Sequence, residues 1–226
     1  FGKRNDDTSS LGDWRVNKKK LPSGIEGLAN KINKLGLSFG IWVEPEMVNP
    51  DSDLYRNHPD WAIYHPKRTP SLGRNQLVLD LSRQDVRDYL FNSLSTLFDQ
   101  ANIVYCKWDM NRSFSDVFSH HLSSESQGEL WHRYILGLYE LLSNLTKKYP
   151  HILFESCASG GNRYDLGMLY YMPQTWTSDN TDGIERIMIQ YGTSVVFPPS
   201  TMGAHVSQAP NAQTIRNTPI ETRFNT

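Results

Sequence analysis

An incomplete (β/α)8 barrel of the α/β class is the architecture this sequence predicts, spanning roughly strands 3 to 7. Two observations lead there. Short apolar runs alternate with segments of helical periodicity, the pattern of parallel strands joined by right-handed crossovers. Each strand-like run is also followed by polar, charged or aromatic residues, as where βα loops build a site at the strand C-termini. A doubly wound sheet is the alternative. It usually carries a glycine-rich phosphate loop, and none is well placed here.

The elements follow in order. Residues 1–23 read as loop. Pro22-Ser23-Gly24 opens a helix whose Ile25, Leu28, Ile32 and Leu35 share one face, with Gly36 placed to cap it. Residues 37–43 form a strand ending in Glu44-Pro45-Glu46. From Asn49 to Gly73 the chain is irregular, and Tyr55, Trp61 and Tyr64 mark a packed excursion. Leu77-Val78-Leu79-Asp80 is a short apolar run. Ser82 to Asp85 resembles a capping box opening a helix to about Ala101, with Val86, Leu90, Leu94 and Leu97 in helical phase. A strand over 103–108 is followed by a loop over 113–126, and a long helix from Gly128 to Tyr149 stops at Pro150. Then come a strand at 151–156, a helix at 164–170, a strand at 174–178, a helix at 182–191 and a last strand at 194–197. Five strands do not close an eight-stranded barrel. Together with a first residue Phe1 and a last residue Thr226, this points to a segment of a longer chain.

Composition narrows the function. The 226 residues hold 23 Lys and Arg against 24 Asp and Glu, a balance that argues against nucleic-acid or membrane-surface partners. No run of 18 apolar residues is present to span a membrane. Aromatics at 12% suit a carbohydrate site, although large cores are also aromatic. Cys106 and Cys157 read as free thiols in a reducing, cytoplasmic compartment. The histidines, among them His120, His121 and His132, lack ligand spacing and read as surface or packing groups. No metal or other cofactor is expected.

Lys107-Trp108-Asp109-Met110-Asn111-Arg112 places a cation, an indole, a carboxylate and an amide at a strand's C-terminal end. A carboxylate between Lys107 and Arg112 suits nucleophilic attack or charge stabilisation better than proton donation; a structural ion pair is the plain alternative. Asp179, in Trp176-Thr177-Ser178-Asp179-Asn180-Thr181-Asp182, also follows a strand. Its nearest basic residue is Arg186, seven positions away, so an apolar setting with Trp176 and Trp42 would suit acid work. Glycosidic hydrolysis needs two such carboxyls. Asp182 reads as a helix N-cap. Glu44 and Glu46 suit either acid–base work or loop stabilisation, and Asp80 reads as an ion pair with Arg74. Gly160 and Gly161 allow close approach to a ligand, or simply make a turn.

Taken together, these segments resemble the glycoside hydrolase family 36 α-galactosidases. The likeness runs from Phe1-Gly2-Lys3-Arg4-Asn5-Asp6-Asp7 and Gly12-Asp13-Trp14 through Phe39-Gly40-Ile41-Trp42-Val43-Glu44-Pro45-Glu46-Met47-Val48. It continues through His58-Pro59-Asp60-Trp61 and Gly73-Arg74-Asn75-Gln76 to the three segments around Asp109, Cys157 and Asp179. The resemblance implies a metal-free retaining α-galactosidase acting on melibiose- and raffinose-type oligosaccharides. Asp109 would be its nucleophile and Asp179 its acid/base. Trp42, Arg74, Lys107, Trp108, Asn111, Cys157, Gly160 and Trp176 would bind or frame the sugar, and Cys157 would disfavour a 2-acetamido group. A raffinose-type transglycosylase, a non-catalytic sugar-binding barrel and a metal-dependent hydrolase are the rivals. The resemblance also implies a homo-oligomeric parent with a β-sandwich before the barrel and a β-domain after it. Residues 1–226 would then be part of the catalytic domain. The family's Asp-Asp-Gly-Trp run, whose carboxylates bind the sugar, precedes the equivalent of Phe1, and the early and last barrel strands are missing, so these residues alone are expected to fold poorly and lack activity.

Overall fold

The computed structural model describes residues 2–225; Phe1 and Thr226, the ends weighed above, lie outside them. The chain divides into two compact units. One holds the residues up to Cys106 together with Met110–Ile152, and the other holds Lys107–Asp109 together with Leu153 onward.

In the first unit, α1 (Gly24–Asn33) buries Ile25 and Ala29. It leads through Gly36, at φ +75°, to β1 (Phe39–Val43). β2 (Met47–Val48) pairs antiparallel with β3 (Leu77–Val78), in the register Met47↔Val78. The excursion between them is packed, and it contains a short helix the sequence reading did not resolve, α2 (Asp53–Asn57). The Asp13 carboxylate accepts from the Asp53 and Leu54 amides at this helix's start, both at 3.0 Å. Trp61 is buried, stacked on His58 at 4.0 Å and edge-on to Tyr89 at 5.7 Å.

α3 (Gln84–Asp99) buries the Val86, Leu90, Leu94 and Leu97 face, as its periodicity predicts. Each such side chain withdrawn from water contributes about 1.5–3 kcal/mol. Its start differs from expectation. Ser82 and Asp85 form no capping box; the N-cap is Arg83, whose guanidinium pairs with Asp85 at 2.8 Å and Asp60 at 2.9 Å. The Ser82 hydroxyl instead donates to Asp80. β4 (Ile103–Asp109) begins beside β1, and α4 (Leu130–Lys148) packs on α3. Gly137 lets α4 approach the segment just before α3: a Cβ there would lie 1.9 Å from the Leu81 carbonyl oxygen.

In the second unit the end of β4 borders β5 (Leu153–Cys157), which pairs parallel with β6 (Gln174–Thr175). Between them α5 (Leu166–Tyr171) is capped by Asp165. α6 (Gly183–Ser194) is capped by Asp182, and α7 (Ile220–Phe224) lies near the end.

The strand expected at 194–197 is absent. α6 runs to Ser194, and the Phe197 amide still reaches back to the Thr193 carbonyl at 2.9 Å. Pro198 and Pro199 then bar ladder pairing. Extended pairing resumes at Met202, in a single parallel bridge to Thr175.

Candidate active site

The pleat of β4 sorts the central motif. Alternate side chains face opposite ways, so Lys107 and Asp109 share a face and Trp108 takes the other. Trp108 is fully buried, which revises the expectation that it frames a sugar: its indole fills the core. Lys107 is partly exposed, with its ammonium 3.8 Å from Glu155 and 4.2 Å from the centroid of the Trp176 ring. The cation expected on the other flank of Asp109 belongs to a loop of the first unit. There Arg112 donates to the carbonyls of Gln76, Ser71 and Ser113 and to the Ser115 hydroxyl.

Asp109 is 7% exposed and touches the Cys157 thiol. Burial pushes that thiol up to about 12, helped by the Asp109 charge and its hydrogen bond, while the Gly160 amide and Lys107 act the other way. Cys157 is therefore a neutral donor to the carboxylate.

The turn that follows is tight. Ser159 has φ +49° and Gly160 φ +82°, and the Ala158 amide donates to the Gly160 carbonyl at 2.8 Å. A Cβ on Gly160 would lie 2.9 Å from the Ser178 Cα, and one on Gly161 would lie 2.7 Å from the Thr177 carbonyl oxygen. The close approach these glycines permit is thus to the 177–179 segment of the protein itself.

That segment carries Asp179, which is exposed and accepts from Trp176 Nε1 at 3.1 Å. Its surroundings are less apolar than the sequence suggests. Arg186, buried on the first turns of α6, folds back to donate to the Asn180 carbonyl at 2.8 Å and the Ser178 carbonyl at 2.7 Å. Burial lowers the Arg186 pKa, and the nearby Asp179 charge opposes this. The guanidinium sits 4.7 Å from the Trp176 ring, and His205 packs 4.5 Å from the same ring. Partial burial, with the charges of Arg186 and Lys107, lowers the His205 pKa.

The 211–216 stretch clamps the loop. Gln213 donates to the Asp179 carbonyl, and Thr214 and Arg216 donate to Asp182. Asp182 is the expected cap, accepting from Ile184 at 2.9 Å and Glu185 at 3.1 Å. Glu155, Arg186 and Gln213 went unread as site residues. In sequence they stand within ordinary strand, helix and loop patterns, and only folding brings Glu155 to Lys107, Arg186 to Trp176 and Gln213 to Asp179.

The remaining candidates belong to the first unit. Trp42 on β1 is exposed and lines an apolar groove of about 340 Å³ with Trp14, Phe39 and Leu97. Glu44 and Glu46 are fully buried. Asn111 donates to Glu44, and Tyr134 donates to Glu46 at 2.6 Å, contacts that fit the loop-stabilising reading. Arg74 and Asn75 both have positive φ at the tip of a Gly73–Gln76 turn, as a type I′ hairpin needs. Buried Asn49 fixes that tip, donating to the Asn75 carbonyl at 2.7 Å while accepting from the Leu11 amide at 2.8 Å. Asp80 accepts from Ser82 and Ser119, not from Arg74 as expected. Both cysteines are free and buried. His120 packs against Tyr64 and Phe118. Among the described residues no cluster of His, Cys, Asp and Glu could hold a metal ion, and no helix is long and apolar enough to cross a membrane.

The melibiase family profile matches residues 1–226. The chain belongs to the melibiase family. Among its melibiase relatives, α-galactosidase AgaA of Geobacillus stearothermophilus is 59% identical over 99% of this chain. α-Galactosidase 1 of Pediococcus pentosaceus is 55% identical over the same share. The chain spans 31% and 30% of those relatives' lengths. Among solved melibiase structures, a variant of the Geobacillus enzyme in complex with raffinose matches with a TM-score of 0.97 at 58% identity, covering 99% of this chain and 31% of that one. A second variant, in complex with stachyose, matches at 0.96 over the same shares.

Proposed function

We propose that this chain is the central part of the catalytic (β/α)8 barrel of a retaining α-galactosidase. Its substrates are terminal α-D-galactosyl residues of melibiose- and raffinose-type oligosaccharides. Relatives carrying the α-galactosidase name, and their complexes with raffinose and stachyose, support the substrate class. The observation that carries the mechanism is the tie between Asp109 and the Asp179 loop within one unit, through the Cys157–Gly161 turn.

In this reading an Asp109 oxygen attacks the anomeric carbon as Asp179 gives its proton to the departing oxygen. A galactosyl ester forms on Asp109 and the aglycone leaves as an alcohol. Asp179, now a carboxylate, takes a proton from water as that water attacks the same carbon and breaks the ester. The net configuration is retained, and no cofactor enters any step. Cys157 donates to Asp109, and Trp176 orients Asp179. Lys107 supplies hydrogen bonds to sugar hydroxyls: its ammonium lies 3.8 Å from Glu155, beyond hydrogen-bond length, and over the Trp176 ring. By resemblance alone, Trp42, Arg74 and Asn111 are assigned to sugar binding; Arg74 has positive φ.

Proton NMR during raffinose hydrolysis by the full-length parent tests this reading. The α anomer of galactose should accumulate before mutarotation. First appearance of the β anomer would overturn double displacement, and no galactose release would overturn the activity.

A further inference from the structure

We propose that Glu155 is a positioning residue, whose buried carboxylate holds the Lys107 ammonium over the Trp176 ring so that its N–H donors stay directed at the sugar. The inference rests on the α-galactosidase reading and adds to it a residue with no sugar contact of its own.

Glu155 lies mid-strand on β5 and is 3% exposed, an unusual place for a carboxylate. Both its oxygens are engaged. One stands 3.8 Å from Lys107, and the other accepts from Gln174 Nε2 at 2.6 Å. Gln174 is Glu155's register partner across the parallel β5–β6 pair, so the sheet itself fixes the carboxylate. Gly203 crowds the second oxygen, since a Cβ there would lie 3.2 Å from it.

The 3.8 Å separation is longer than a hydrogen bond. Glu155 therefore steers Lys107 by charge without occupying its donors. It also offsets the positive charge around Trp176, where Lys107 and Arg186 both approach one ring. Without that negative charge only the cation–π attraction holds the flexible four-carbon stem on the indole.

A mutant cycle in the full-length parent, assayed on p-nitrophenyl α-galactoside, tests this. Glu155→Gln keeps the shape and an acceptor for Gln174 but removes the charge. KM should rise about tenfold with kcat within about twofold, the signature of lost uniform binding. In a Lys107→Met background the same change should add less than about twofold, because its target is gone. Unchanged KM in the single variant, or losses that multiply in the double variant, overturns the inference. Should Glu155→Gln not accumulate as folded protein, Gln174→Met, which frees the carboxylate but leaves it in place, takes its role. The same KM rise and the same lack of multiplication with Lys107→Met are then expected, and their absence is decisive against the inference. An active wild type with unaffected variants sinks this inference alone. A wild type releasing no galactose sinks the activity reading and the inference together.

Discussion

Trp176 Nε1 donates to the Asp179 carboxylate at 3.1 Å, while the same indole ring meets Lys107 at 4.2 Å on its face. One side chain thus ties the proposed proton donor to a cation two residues from the proposed nucleophile. Trp176→Phe in the full-length parent keeps the ring and deletes the donor. The pH–rate profile on raffinose should shift on the limb governed by the acid/base. A profile superimposable on wild type would show that this hydrogen bond is catalytically idle.

Asp109→Asn should abolish turnover, lowering kcat on the order of 10⁴-fold or more because no ester can form. Near-wild-type hydrolysis of p-nitrophenyl α-galactoside by this variant would remove Asp109 from the role.

Asp179→Asn should discriminate between leaving groups. Melibiose, whose departing alcohol needs a proton, should lose about 10²–10⁴-fold, whereas an activated aryl galactoside should lose far less in bond cleavage. Pre-steady-state bursts on the aryl substrate separate that step from hydrolysis of the ester. Equal loss on both substrates counts against general acid catalysis.

The Cys157 thiol, pushed up to about 12, should resist alkylation in the native protein at pH 8 and react once denaturant exposes it. Mass spectrometry of the Cys157 peptide after an iodoacetamide pulse gives the answer. Rapid native labelling would contradict the buried thiol–carboxylate pair.

The Asp182 carboxyl is held below its ordinary value, chiefly by the Thr214 hydroxyl and then by the Glu185 and Ile184 amides and Arg216. Its folded-state pKa is depressed. The stability it contributes is therefore complete above the ordinary carboxylate range near 4 and fades as pH falls through the lower folded value. Asp182→Asn keeps a cap for α6 but cannot titrate. Acid melting curves of the variant should be flatter below about pH 4 than those of wild type, and parallel acid limbs would refute the linkage.

Much of this was legible in the chain, and the reasons are local. The Val86–Leu97 face of α3 announces itself because helical period and burial coincide, and Asp182 because an N-cap needs only its own neighbours. Ser194–Phe197 misled because a β-branched run reads as a strand wherever it falls. α6 in fact ends at Ser194, the turn after it carries Val195 to Phe197, and Val195 and Val196 are exposed. Trp108 was misassigned because a motif read in one dimension does not say which pleat face a side chain takes. Arg186 was legible only as a cation seven residues from Asp179, and Glu155 not at all, because only the folded chain brings one to the Trp176 ring and the other to Lys107.

The Cys157–Gly161 turn acts as a gauge block. At one end its thiol rests on Asp109, and at the other its glycines lie flush against the backbone that bears Asp179. A single inserted residue there would alter the span between the two carboxylates. That span decides whether a nucleophile or an intervening water reaches the sugar, and hence whether such an enzyme keeps or inverts the anomeric configuration. The stereochemical outcome would then be written in the length of a loop that takes no part in the chemistry.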